Sequence, residues 1–364
     1  MAGVAILGST GSIGTSALAV LARQRSRFEV VALTARANAD ALARQTAAWR
    51  PRFSGLVSTG GPEVLIEAAT HPEADIVLNA VVGSAGLDAT LAALRAGKRV
   101  ALANKETLVM AGELVRAACA EGGGELIPVD SEHSAVLQCV TGREAGFTRL
   151  ILTASGGPFR TWDGERMAVA TAAEALQHPT WRMGDKVTVD SATLANKALE
   201  VIEAHHLFGL SYDAVEVVVH PQSIVHAFAE FCDGSVIAQL GFPSMELPIL
   251  YALTHPERLP DTGVPRFDPV AIGALTFEPV RADVFRAFRA GIEAGRAGGT
   301  APAVFNAANE VAVGAFLDGR IRFGRIAQAI ESVLAAHTVA ALTDLDTARA
   351  ADQWARARAM EELR

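Results

Sequence analysis

Three cysteines, four lysines and no apolar run long enough to cross a membrane set the first bounds on this 364-residue chain. Cys119, Cys139 and Cys232 are odd in number and share no close spacing, which excludes a disulfide framework and a zinc knuckle and leaves reduced core thiols. A span needs about 18 consecutive apolar residues, and none occurs. No cation precedes Arg23, so the start lacks the basic region of a signal peptide, and the expected compartment is the cytoplasm. Positive charge is short: the formal net charge of −8 argues against coating nucleic acid, while leaving room for a local basic pocket around a small phosphate. With 50% hydrophobic and 20% charged residues, and 32 glycines and 15 prolines spread along the chain, disordered, collagenous and coiled-coil classes are excluded. The length suits two or three domains. Lysine is so scarce that Lys98, Lys105, Lys186 and Lys197 draw notice where they stand in polar motifs.

From residue 1 to about 130, short β-branched runs alternate with alanine-rich helical stretches, the pattern of a doubly wound α/β fold built on a parallel sheet. Strands are expected at Val4–Leu7, Phe28–Leu33, Ser54–Val57, Asp75–Val81, Arg99–Ala103 and Glu125–Val129. They show little polar alternation, as befits strands covered on both faces. Residues 131–255 read as α+β. Strands are expected at Leu150–Thr153 and Val187–Val189, then a helix over Ala192–Leu207 that Ser191 could cap and Gly209 end. Strands at Ala214–Val219, Ile224–Phe231 and Ser235–Leu240 follow, the last two joined by the hairpin signal Asp233-Gly234. The open edge of that layer could serve as a dimer seam. Five prolines between 256 and 280 suggest an extended linker, and 282–364 reads as a small bundle of four helices.

The glycines of Gly8-Ser-Thr-Gly11-Ser-Ile-Gly14, between the first strand and a helix starting near Ser12, suit a dinucleotide pyrophosphate. Beyond the second strand, where a carboxylate would hold a ribose 2′-hydroxyl, the chain reads Thr34-Ala-Arg36-Ala-Asn38, which favours the 2′-phosphate of NADP. Asp130-Ser-Glu132-His133 follows the sixth strand at the sheet's carboxyl end. Its carboxylates point the same way if the backbone is extended, giving hard ligands for Mg²⁺ or Mn²⁺; helix capping by Asp130 or Ser131 is the competing reading. In Asp190-Ser191-Ala-Thr-Leu-Ala-Asn196-Lys197-Ala-Leu-Glu200, Asn196 and Glu200 share a helical face. Ser191, Asn196, Lys197 and the free amides of a helix start could surround a phosphate, with Glu200 a third metal carboxylate, or the whole could be a solvated amphipathic face. Ser155-Gly-Gly offers a turn with a hydroxyl, His178-Pro-Thr-Trp181-Arg-Met183-Gly184 suits a lid, and Lys105 follows the fifth strand.

Together these strings resemble the 1-deoxy-D-xylulose 5-phosphate reductoisomerase family, of the methylerythritol phosphate route to isoprenoids. The resemblance rests on GSTGSIG at 8–14, ALANKE at 101–106, PVDSEHSA at 128–135, LTASGGPF at 152–159, HPTWRMG at 178–184, VDSATLANKALEVIEA at 189–204, HPQSIVH at 220–226, GFPSMELPI at 241–249 and NAANEVAV at 306–313. It implies a Rossmann-like NADPH-binding domain (1–130), a central α+β catalytic and dimerisation domain (131–255), a linker (256–281) and a C-terminal helical bundle (282–364), acting as a homodimer on a small phosphorylated sugar. It implies metal ligands at Asp130, Glu132 and Glu200 for Mg²⁺ or Mn²⁺, with Co²⁺ a further candidate. The phosphate pocket would be Ser155, Ser191, Asn196 and Lys197, under a lid from His178 to Lys186 that carries Trp181 and Met183. Lys105 and Ser131, with Glu132 and Glu200, would meet the substrate hydroxyls, and His133, His178 and His226 would be active-site histidines. Cofactor contacts would fall at Gly8, Thr10, Gly11, Ser12, Ile13, Gly14, Arg36, Ala37, Asn38, Asn104, Glu106 and Gly184. The family often has Gly-Lys-Asn after the second strand; here Arg36-Ala37-Asn38 stands, so the 2′-phosphate depends on Arg36.

The implied chemistry is a metal-assisted rearrangement, by retro-aldol cleavage and aldol recombination in preference to an α-ketol shift, then hydride transfer from NADPH. Two rivals stay open at this point. A homoserine-dehydrogenase-like oxidoreductase would need no three convergent carboxylates with a phosphate cluster, and a non-catalytic NADPH sensor would leave 178–204 without a purpose.

Overall fold

A computed structural model describes all of residues 1–364, in two compact units. The first comprises Met1–Thr107, Glu113–Thr141 and Ser244–Phe267; the second comprises Leu108–Gly112, Gly142–Pro243 and Asp268–Arg364.

The first unit is built on β1 (Ala2–Leu7), β2 (Phe28–Ala35), β3 (Phe53–Leu56), β4 (Ile76–Asn79), β5 (Arg99–Leu102) and β6 (Glu125–Pro128), all close to the expected positions. They form one parallel sheet in the order β3-β2-β1-β4-β5-β6. Val4 through Leu7 are wholly buried, the signature of a central strand covered on both faces. The strand order reverses between β1 and β4, so a ligand crevice belongs at the carboxyl ends of these two strands. The helix Glu246–Thr254 belongs to this unit: its Ile249, Leu250 and Leu253 join Leu18, Leu21 and Ile76 in one core. That placement departs from the expected 131–255 segment, because the run Leu-Pro-Ile-Leu-Tyr-Ala-Leu buries its apolar side chains here.

The second unit carries a mixed sheet, order β10-β9-β7-β8-β11, from β7 (Phe147–Ala154), β8 (Val215–Val219), β9 (Val225–Phe231), β10 (Val236–Leu240) and β11 (Glu278–Pro279). β7 and β8 run parallel and the other pairs antiparallel. Gly234 turns the expected β9–β10 hairpin at φ 82°. The prolines of 256–280 are not linker throughout: Pro269–Ile272 forms a helical turn, and β11 pairs with β8.

Two expectations between 185 and 208 fail. Val187–Val189 is not a strand but lies in a helix, Asp185–Thr193, and the expected single helix is two, separated by Leu194 in the left-handed region at φ 57°. The β-branched run is overridden by packing, since residues 188–193 are all buried, with Val189 and Ala192 in the apolar core. Ser191 is therefore inside a helix and caps nothing; the second helix, Ala195–Phe208, ends on Gly209 as expected. The C-terminal helices are Arg286–Ala297, Ala301–Leu317, Gly324–Ala336 and Leu345–Glu362. They share one hydrophobic cluster with Phe159, Val189, Ala198 and Leu199. No helix is long and apolar enough to cross a membrane.

Candidate active site

In the first unit the expected cofactor residues sit at the carboxyl ends of β1, β2 and β5. Gly8 turns the chain at φ 83°, and a Cβ there would come within 2.8 Å of the Ala80 carbonyl oxygen. At Gly14 a Cβ would come within 2.4 Å of the Gly8 oxygen, so helix and loop touch only because that side chain is missing. The helix Ser12–Arg23 starts on Gly11 with neither a side-chain cap nor an acidic residue in its first turn. The first intrahelical bond is Thr15 N–H to the Gly11 oxygen, so the amides of Ser12, Ile13 and Gly14 have no intrahelical partner and lie at the positive end of the helix dipole. Thr10 lies in this loop, while Arg36 and Ala37 follow β2 and are exposed. Asn38 caps the helix Ala39–Trp49 by accepting from Ala41 N–H at 3.1 Å. Asn104 is buried, capping the helix that starts at Lys105 and donating to the oxygens of Val81, Gly83 and Glu106.

The Asp130–His133 stretch is not extended, contrary to the expectation that would align its two carboxylates. Asp130 is the N-cap of the helix Ser131–Val140, accepting from the amides of Glu132 (3.1 Å) and His133 (3.3 Å), with Glu132 in the first turn. Capping and ligation do not exclude each other, since a carboxylate has about four lone-pair directions. Asp130 also bonds the Lys105 ammonium and lies 3.0 Å from His133 Nδ1; Ser131 Oγ donates to Glu132 at 2.6 Å.

In the second unit a histidine and two serines form the second cluster. His178 Nδ1 accepts from the backbone amides of Thr180 (3.1 Å) and Trp181 (2.8 Å). That fixes the proton on Nε2, which faces Ser155 Oγ at 3.0 Å and Ser191 Oγ at 3.1 Å. Burial pushes the His178 pKa down to about 4, so the ring is neutral and its one N–H points at the two hydroxyl oxygens. Ser155 Oγ accepts from Gly157 N–H as well, at 3.2 Å. With those oxygens acting as acceptors, both hydroxyl hydrogens remain to be donated to an incoming anion. Trp181 stands 6.3 Å from the ring of the buried His226, and Met183 and Gly184 lead into the helix Asp185–Thr193.

The phosphate group expected around Asn196 and Lys197 is differently arranged. Both side chains donate to the carboxylate of Glu200, which is 1% exposed. The amides at the helix start are partly taken, Ala195 N–H by Thr193 Oγ1 (3.2 Å) and Lys197 N–H by the Leu194 oxygen (3.1 Å). Asp190 and Asn309, to which the sequence assigned no particular role, and Lys186, placed only at the end of the lid, form a network beside Ser191; the available signal was a set of polar residues inside the otherwise apolar helix Ala301–Leu317.

Family models for 1-deoxy-D-xylulose 5-phosphate reductoisomerase match residues 4–112, its C-terminal domain model matches 126–208, and a second C-terminal domain model matches 240–358. A relative of that name from Heliobacterium modesticaldum is 49% identical over 99% of this chain and 97% of its own; one from Symbiobacterium thermophilum is 50% identical over 99% and 98%. The chain belongs to the 1-deoxy-D-xylulose 5-phosphate reductoisomerase family. A solved family structure in complex with NADPH, fosmidomycin and magnesium is similar at a TM-score of 0.95 and 38% identity, covering 100% of this chain and 98% of that one. The Zymomonas mobilis reductoisomerase in complex with NADPH is similar at 0.92 and 41%, covering 100% and 99%.

This chain's residues fit the two groups that such reductoisomerase structures hold. The close backbone approaches at Gly8 and Gly14, where an added Cβ would strike backbone, form the tight turn into an uncapped helix start that suits a pyrophosphate. Asp130 and Glu132 are half-buried carboxylates of the first unit and Glu200 is a buried carboxylate of the second, each a hard oxygen donor of the kind that suits Mg²⁺ or Mn²⁺. Asp130 and Glu200 each already hold an ammonium group, from Lys105 and Lys197, so these sites favour positive charge.

Proposed function

We propose that this chain catalyses the NADPH-dependent, divalent-metal-dependent rearrangement and reduction of 1-deoxy-D-xylulose 5-phosphate to 2-C-methyl-D-erythritol 4-phosphate, an oxidoreductase step in isoprenoid precursor biosynthesis. The observation that carries the reading is the neutral His178 with the Ser155 and Ser191 hydroxyls, a built acceptor for a small phosphate in a chain 49–50% identical to relatives named for that activity.

In this reading the 8–14 loop and the amides of Ser12 to Gly14 hold the NADPH pyrophosphate, and Arg36 with Ala37 and Asn38 meets the adenosine 2′-phosphate. Asn104, Glu106 and Gly184 complete the cofactor contacts. Asp130, Glu132 and Glu200 hold Mg²⁺ or Mn²⁺, with Co²⁺ a further candidate. When bound, the ion polarises the substrate's neighbouring oxygens and the nicotinamide supplies the hydride. Ser155 and Ser191 donate their hydroxyl hydrogens to the phosphate, joined by Asn196 and the Lys197 ammonium. Binding energy from this group, remote from the reacting carbons, orients the substrate and closes the segment 178–186, whose Trp181 and Met183 exclude water. Lys105 and Ser131 bind the substrate hydroxyls, and Asp130 orients the His133 ring through Nδ1, while His226 backs Trp181. The functional division is 1–130 for cofactor, 131–255 for catalysis and dimerisation, 256–281 as linker and 282–364 as support. The protein works as a cytoplasmic homodimer, with the open edge of β10 as the seam.

The test is loss of NADPH absorbance with purified protein, 1-deoxy-D-xylulose 5-phosphate and Mg²⁺ or Mn²⁺, repeated with EDTA and with NADH. Metal-dependent oxidation that prefers NADPH is expected. NADH working equally well would remove the role of Arg36, and no oxidation by folded protein would favour an NADPH-sensing role.

A further inference from the structure

We propose that Asn309 is a positioning residue for the phosphate pocket: from a C-terminal helix, its amide fixes the buried Asp190 carboxylate and thereby the helix that presents Ser191. The inference rests on the assignment of Ser191 to the phosphate made above. The helix Ala301–Leu317 is apolar apart from Asn306, Asn309 and Glu310, and both asparagines are fully buried. Their amides go different ways. Asn306 Nδ2 donates to Glu310 at 3.2 Å, and Glu310 accepts from Arg356 at 2.6 Å, so that network closes among the C-terminal helices. Asn309 Nδ2 instead donates to Asp190 Oδ1 at 2.7 Å. The other oxygen of Asp190 pairs with Lys186 at 3.0 Å.

The helix Asp185–Thr193 packs into the apolar core through Val189 and Ala192, but its polar anchors are few. Its N-cap is Gly184, which has no side chain, and it ends after nine residues on the left-handed Leu194. Lys186 lies on the same helix, so its ion pair with Asp190 cannot orient that helix against the rest of the unit; the Asn309 bond, from another helix, does. Ser191, the next residue, has its hydroxyl 3.1 Å from His178 Nε2. A rotation of the helix released by losing the Asn309 bond displaces the hydroxyl and the end of the 178–186 segment together.

The experiment compares Asn309→Ala with Asn306→Ala, which removes an equally buried amide three residues away that ties to Glu310. Asn309→Ala is expected to raise KM for 1-deoxy-D-xylulose 5-phosphate about tenfold with NADPH affinity unchanged, because small displacements of a binding group are costly. Asn306→Ala is expected to lower Tm similarly but keep KM within about twofold of wild type, as a purely structural loss would. The double exchange Asp190→Asn with Asn309→Asp reverses donor and acceptor and is expected to restore most of the affinity; it and Asn309→Ser stand in if Asn309→Ala does not fold. An unchanged KM in Asn309→Ala, or an equal rise in Asn306→Ala, overturns the inference. Wild-type protein without turnover would count against the functional reading alone, and the increase in Tm given by inorganic phosphate then decides: its loss in Asn309→Ala but not in Asn306→Ala supports the positioning role, and equal responses refute it.

Discussion

His178 receives two backbone N–H groups at Nδ1, an arrangement that only an unprotonated nitrogen can accept. Its pKa, pushed down by burial to about 4 from an ordinary 6.5, keeps the ring neutral where the serines need a single donor. The sign of the linkage follows. As pH falls below about 6.5 the unfolded chain takes up a proton that the folded chain refuses, so this residue makes stability fall from there toward pH 4 and adds no further change below it. The expected observation is a His178 ring resonance that does not titrate between about pH 5 and 8, the range in which an ordinary histidine changes charge. His178→Gln should also flatten the acid limb of stability measured by urea unfolding. A titration midpoint near 6.5 in the wild-type protein would contradict both the tautomer and the donor role.

The elements that periodicity defines best were legible in the sequence: six parallel strands and the glycine turn after β1 lie where apolar runs and turn residues put them. Both readings of Asp130, as cap and as ligand, were also available from residue types alone. What escaped is local structure that packing decides. Val187–Val189 has strand propensity, yet it is helical because residues 188–193 are packed into the interior, and no pattern in the sequence announces the break at Leu194. That break separates Ser191 from Asn196, Lys197 and Glu200, which a continuous helix would have spaced otherwise. Leu194 holds φ 57° although its side chain is only 2% exposed. Leu194→Gly would relieve about 1–2 kcal/mol of left-handed strain, but removing a buried leucine costs about 2–5 kcal/mol. The packing loss is the larger, and a net loss of up to about 4 kcal/mol in urea unfolding is expected; a stabilised variant would mean that the backbone, not the side chain, limits this turn.

At the scale of the whole chain, sequence order and compactness diverge. Residues 244–267 return to the first unit after the second has begun, as their apolar helix finds its core with Leu18 and Leu21. Residues 282–364 look separable in the sequence, since prolines precede them and they are almost wholly helical. Their interior is nevertheless shared: Val304, Phe305, Ile326 and Ile330 belong to the same cluster as Phe159, Val189, Ala198 and Leu199. Gly291 shows how close the approach is, because a Cβ there would come within 2.5 Å of the Ala198 side chain, on the helix that bears Asn196, Lys197 and Glu200. Deleting 282–364 would expose that half of the cluster, and each large apolar side chain so uncovered forfeits about 1.5–3 kcal/mol, against a total stability of about 5–15 kcal/mol. A chain ending at residue 281 is therefore expected to lose cooperative unfolding of its second unit and to bind hydrophobic dyes, while the parallel sheet, whose core lies within the first unit, keeps its circular dichroism and its affinity for NADPH. A soluble truncated protein with an unaltered second unfolding transition would show that residues 142–243 and 268–281 fold without the helices that now close their core.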